Sequence, residues 1–209
     1  MSVRATQKQK TRQALFNAAL QLSYQKGSFA NISLREITHK VEIVPAAFYR
    51  HYTNLDQLGL ELVDHVSVYV RHIFYQIGKL GMENLQSTPE SRLDFLFDSI
   101  DQQPEMWHFF LAERLSGNLV LRHAIQREHH FLLQEFTQRV LDMPSMAVFC
   151  EKGLAPSLSS LYLQSAFHWA IQWIEFKHRY NGAELIEKQQ RLRHSALKQI
   201  QLLYLALTA

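Results

Sequence analysis

The stretch that decides the fold runs from Ser33 to Tyr52 and reads SLREITHKVEIVPAAFYRHY. Ser33 and Glu36 have the spacing of a capping box. The serine hydroxyl accepts from the Glu36 backbone N–H, and the glutamate carboxylate accepts from that of Ser33. Leu34, Ile37 and Val41 then recur at spacings of three and four, which marks one face of a helix. Ile43 and Val44 interrupt the polar pattern, and Pro45 opens a second helix, where a missing N–H costs nothing. That helix, Pro45 to Tyr52, is expected to bury Phe48 and Tyr52 and to leave Ala46, Ala47, Tyr49, Arg50 and His51 outward. Two short helices joined by a tight turn suit entry of the second into a DNA major groove. The small residues let the backbone come close, and the larger ones reach phosphates and base edges.

Working outward, Thr6 to Gln25 reads as a helix with Leu15, Ala18, Ala19 and Leu22 on its buried face. Gly27 stands where a left-handed residue closes a helix. Phe29 and Ile32 pack the corner before Ser33. Residues 1–54 thus form a complete three-helix DNA-binding unit. Residues 1–52 hold eight Lys and Arg against two Glu, a net charge of +6, while the remainder carries −3. A basic head on a mildly acidic body implies a polyanionic partner met by one end of the chain. The competing reading is a solvated surface that happens to be basic.

Residues 55–209 read as a larger helical domain. A helix from Leu55 to about Leu80 carries Leu58, Leu62, Val66, Tyr69, Val70, Ile73 and Ile77 at helical spacing and is expected to serve as a connecting rod. A loop over Gly81 to Pro89 precedes helices at Glu90–Asp101, Pro104–Leu115 and Asn118–Leu141. Asp142 to Pro156 resists placement beyond a short helix around Met146–Glu151. The class is all-α. No run of about 18 apolar residues is found, so no membrane span is expected. The basic start has no apolar core of the signal-peptide kind, and the single cysteine, Cys150, forbids an internal disulfide. A soluble cytoplasmic protein is expected.

The last two helices, Ser157–Tyr180 and Ala183–Leu207, are each apolar on two sides and need covering on two sides. A second copy of the chain is the economical cover, through a four-helix interface that includes Trp173, Leu192, Ile200 and Leu203. A wholly internal helix hairpin is the alternative. A two-fold dimer would set two reading helices roughly 34–36 Å apart, one turn of duplex.

The run TRQALFNAALQLSYQKGSFANISLREITHKVEIVPAAFYRHYTNLDQLGLELV resembles the N-terminal domain of the tetracycline-repressor (TetR) family. VRATQKQKTR, SLREI, PAAFYRHYTNLDQLGL and FFLAERLSG are similar to one branch, the repressors of unsaturated fatty-acid biosynthesis and acyl desaturation. The resemblance implies that Ala46 and Ala47 lie against bases, that Tyr49 and His51 contact phosphate, and that Arg50 meets base or phosphate. It places Ser33 and Arg35 on phosphates from the preceding helix, and Arg4 in a basic arm that enters a groove. Three positions depart from the family pattern. Glu42 stands where the turn usually has glycine, Leu55 where many relatives have lysine, and Thr38 where a small alanine is usual.

The larger domain is rich in aromatics, which either form ordinary core or line a long apolar cavity between helices. Phe74, Phe97, Trp107, Phe110, Phe131, Phe167 and Trp169 are the candidates for such a lining. The branch resemblance implies a long-chain acyl-CoA or acyl-carrier-protein thioester, with Arg114 and Ser116 meeting its polar part. The sensor would act by shifting the tilt of the Leu55–Leu80 rod. The function implied is a repressor of lipid genes that binds a palindromic operator as a homodimer, without a cofactor. The alternatives are a TetR-type regulator of another apolar ligand, in efflux or catabolism, or a constitutive DNA-binding protein. An enzyme is not expected. His123, His129 and His130 lack a metal-binding pattern, adjacent histidines on a helix point about 100° apart, and no phosphate loop or nucleophile motif is present.

Overall fold

The computed structural model describes residues 3–83, 88–115, 117–142 and 153–208, with side chains over 5–80, 88–115, 117–142 and 153–203. The order is α1 (Val3–Lys26), a 3-10 turn (Phe29–Asn31), α2 (Leu34–Lys40), α3 (Pro45–Phe48), α4 (Leu55–Glu83), α5 (Pro89–Gln102), α6 (Pro104–Glu113), α7 (Leu119–Leu141), α8 (Ala155–Arg179) and α9 (Gly182–Thr208). No strand occurs among the described residues. The expected helix around Met146–Glu151 lies outside them.

Local chemistry sets most of these boundaries. Gly27 closes α1 at φ 78°, a conformation glycine adopts without a Cβ clash. Asn54 caps α4 by accepting from the Gln57 N–H at 2.9 Å, and Gln57 Oε1 accepts in return from the Thr53 N–H at 2.6 Å. Thr88 and Ser91 form a reciprocal capping box at the start of α5, with Pro89 in its first turn.

The chain divides into two compact units, one of Met1–Tyr69 with Glu105–Glu128, the other of Val70–Pro104 with His129–Ala209. In the first, α1, the 3-10 turn, α2 and α3 pack in sequence order. Its interior includes Leu15, Phe29, Ile37, Phe48, Leu58 and Phe109, while Leu22, expected inside, is half-buried. In the second, α5, α8 and α9 pack on one another. Its interior is built on Phe74, Phe97, Phe167, Trp169 and Trp173.

Candidate nucleic-acid interface and the larger helical region

The Ser33 box is fully formed, with the Glu36 N–H donating to Ser33 Oγ at 3.3 Å and the Ser33 N–H donating to Glu36 Oε2 at 3.0 Å. Lys26 Nζ forms an ion pair with the same carboxylate from the end of α1. The Lys26 ammonium, the Ser33 hydroxyl and the Ser33 N–H hold the Glu36 carboxyl down at about 2. At the other end of α2 the Ile43 N–H reaches back to Thr38 C=O at 3.0 Å, the long bond of a Schellman closure. That closure needs a left-handed residue, and Glu42 supplies it at φ 57°. Thr38 is buried and donates its hydroxyl to Leu34 C=O at 3.0 Å, which satisfies a group that an alanine would not carry.

The second helix is shorter than its spacing suggests. Regular α-helix stops at Phe48, and the Arg50 and His51 N–H groups bond three residues back, at 3.2 and 2.9 Å. Such tightening is common where a helix ends. Phe48 and Tyr52 are buried with their rings 5.5 Å apart. With those two anchored, Ala46, Tyr49 and Arg50 are exposed and Ala47 and His51 half-exposed. Tyr49 is 62% exposed, its ring edge-on to Phe48 with centroids 5.7 Å apart. Ser33 and Arg35 also lie on the surface. The side chain of Arg4 lies outside the described residues.

Arg12 ties α1 to this surface. Its guanidinium pairs with Glu61 of α4 and sits 4.8 Å from the centre of the Tyr52 ring. Burial and the Glu61 carboxylate push the Tyr52 phenol up to about 12. Burial, then the charges of Lys8, Arg12 and Arg50, push His51 below its ordinary value. Its Nδ1 is buried and meets no hydrogen-bond partner among the described residues. Lys8 and Arg12 count toward the basic charge of residues 1–52, but only the packing of α1 brings them to His51.

The residues expected to line an apolar cavity fall in both units. Trp107, Phe110 and Arg114 belong to the first, with both aromatic rings fully buried. Arg114 is half-buried, and that burial lowers its guanidinium below its ordinary value. Ser116 lies outside the described residues. In the second unit Phe74 meets Phe167 edge-on at 5.7 Å and Phe136 at 6.1 Å. Phe136 stacks on Tyr162, whose ring lies 6.4 Å from Trp169. Tyr162 was missed because a lone tyrosine on α8 carries no signal of which face it occupies. Phe97 stacks on Trp173 at 4.0 Å rather than standing apart. Phe131 is 50% exposed, unlike the interior aromatics with which it was grouped as a cavity lining.

The expected partner-facing residues are placed differently too. Trp173, Leu192 and Ile200 are buried within the single chain, and Leu203 is half-buried. Trp173 donates its indole N–H to Asp101 at 2.8 Å, so α5 already covers that stripe. The outward apolar residues of α8 are Leu161 and Ile171, and α9 exposes Ile186 and Leu202. Of the histidines considered for a metal, His129 packs on the Phe167 ring and His130 approaches Gln134 at 3.0 Å. No group of three metal-ligating side chains occurs among the described residues, and no helix there is long and apolar enough to cross a membrane.

No family model matches the chain. An uncharacterized HTH-type transcriptional regulator of Haemophilus influenzae is 36% identical over 139 residues, 66% of this chain and 67% of that protein. Among solved structures, a TetR/AcrR-family transcriptional regulator from Aquifex aeolicus superposes with a TM-score of 0.64 at 18% identity, covering 91% of this chain and 99% of the other. The fatty acid degradation regulator FadR of Bacillus halodurans superposes with a TM-score of 0.61 at 12% identity, covering 90% and 94%. These relatives are regulators and not enzymes. With a capped helix-turn-helix at its head and helices through the other described residues, the chain has the fold of the TetR/AcrR-family structures and belongs to the HTH-type transcriptional regulators.

Proposed function

We propose that the chain represses lipid or fatty-acid genes by binding a palindromic operator as a homodimer, and that a long-chain acyl thioester sets its affinity. Residues 1–54 serve as the reading domain and 55–209 as the sensing and pairing domain. One observation carries the DNA reading: Phe48 and Tyr52 are locked in the core while Tyr49 and Arg50 stand out on the surface of a basic head. Ala46 and Ala47 then approach bases. Ser33, Arg35, Tyr49 and His51 hold phosphates, and Arg50 reaches either. Arg4 extends the contact from the N-terminal arm.

The acyl reading rests on the branch-like segments PAAFYRHYTNLDQLGL and FFLAERLSG, and on the aromatic interior of the second unit. An acyl tail would insert among Phe74, Phe167 and Trp169, which already face one another through Phe136 and Tyr162. The same fold serves a fatty acid degradation regulator in Bacillus halodurans.

Anisotropy titration against a duplex selected from a random pool by the wild-type protein tests both parts. Arg50→Ala is expected to weaken binding, and a fall of about 1 in the salt slope would assign Arg50 to phosphate rather than to a base edge. Oleoyl-CoA is expected to change the wild-type affinity where free CoA does not. Unchanged affinity in Tyr49→Ala and Arg50→Ala would remove the reading face, and indifference to every acyl-CoA would remove the sensor.

A further inference from the structure

The segment around the end of α6 holds the reading motif at both of its ends. On the entry side, Ser28 Oγ and the Phe29 N–H both donate to Glu113 Oε1, at 2.9 and 2.7 Å. Ser28 Oγ also accepts from the Ala30 N–H at 3.1 Å, so one serine closes the 3-10 turn and anchors it to α6. On the exit side, Asn118 Nδ2 donates to Asp56 Oδ1 in the first turn of α4 at 2.9 Å, while Asn118 Oδ1 accepts from the Leu121 N–H at 3.1 Å. All of these residues lie in one compact unit.

Glu113 is fully buried, and its Oε2 meets no hydrogen-bond partner among the described residues. A buried acid is a costly way to hold a corner where Phe29 already packs edge-on against Phe109. What the acid adds is direction, because two donors must converge on one oxygen and apolar contact imposes no such geometry.

We infer that Glu113 is a positioning residue for DNA recognition: it fixes the first turn after α1 and so sets the angle at which Ser33–Tyr52 meets the duplex. The α6–α7 region thereby sets specific affinity through this carboxylate, with Asn118 as the second tie. The inference rests on the DNA reading proposed above.

The test uses the full chain and the duplex selected by wild type, with a scrambled duplex beside it. Glu113→Ala is expected to lose about tenfold or more in specific affinity, the scale of one lost hydrogen bond to a charged group, with binding to scrambled DNA unchanged. Glu113→Gln keeps an oxygen that accepts both donors and is expected to stay close to wild type. Ser28→Ala, which removes one donor and the cap of the 3-10 turn but leaves the apolar packing intact, is expected to fall between them and keeps the test open if Glu113→Ala does not fold. Wild-type specific affinity in Glu113→Ala or Ser28→Ala overturns the inference, as does an equal loss on both duplexes. A wild-type protein that selects no duplex at all sinks the DNA reading instead, and this inference with it.

Discussion

Glu42 adopts φ 57° in the turn that separates the two helices of the reading motif. A left-handed backbone costs a side chain roughly 1–2 kcal/mol, part of which glycine would return as extra freedom in the unfolded chain. Glu42→Gly is therefore expected to stabilise the protein by about 0.5–1 kcal/mol in denaturant unfolding. Glu36, six residues back, gives a second prediction. Its carboxyl is held below its ordinary 4.5, at about 2, by Lys26 and Ser33. A depressed pKa means that the folded state binds its proton more weakly, so the contribution is complete above pH 4.5 and lost as pH falls through about 2. The stability advantage of wild type over Glu36→Gln should follow that window, and an NMR titration of the side chain should give the same midpoint. Both residues were legible in the sequence, because a capping box and a turn that lacks its glycine are local patterns. Lys26 was not, since its partner lies across a corner.

At the scale of elements, most helices end near where the spacing puts them, because caps, prolines and glycines act within a turn of themselves. The short α3 is the exception. Periodicity marks Phe48 and Tyr52 as one buried face, but it cannot distinguish an α turn from the tightened bonds that carry Tyr49 to His51. The close crossing of α4 and α7 was equally invisible. A Cβ on Gly59 would lie 2.7 Å from Leu121 Cδ2 and 3.1 Å from Phe29 Cε1. Gly59→Val is expected to cost about 1–3 kcal/mol through overpacking. Gly59→Ala should cost less, since a leucine methyl can rotate away and alanine favours the helix. Thermal melts of the two variants, compared with wild type, check the order.

For the whole molecule, the all-α class and a helix-turn-helix at the front were readable, and which stripe of the last helices the same chain covers was not. Two apolar stripes on one helix say that two covers are needed, without saying which stripe the same chain covers. Trp173, Leu192 and Ile200 turn out to be internal, which leaves Leu161 and Ile171 as the outward apolar positions of α8. Glutamate at both Leu161 and Ile171 is expected to give a folded monomer in sedimentation with weakened operator binding, whereas Trp173→Ala should cost about 3–5 kcal/mol of stability. The same packing has an optical consequence. All three tryptophans, Trp107, Trp169 and Trp173, are shut away from water, and none belongs to the reading face. Native emission should therefore be blue and reddish only on unfolding, so that a small change in intensity on adding a lipid, without a change in colour, would report a rearranged interior in a protein that needs no dye.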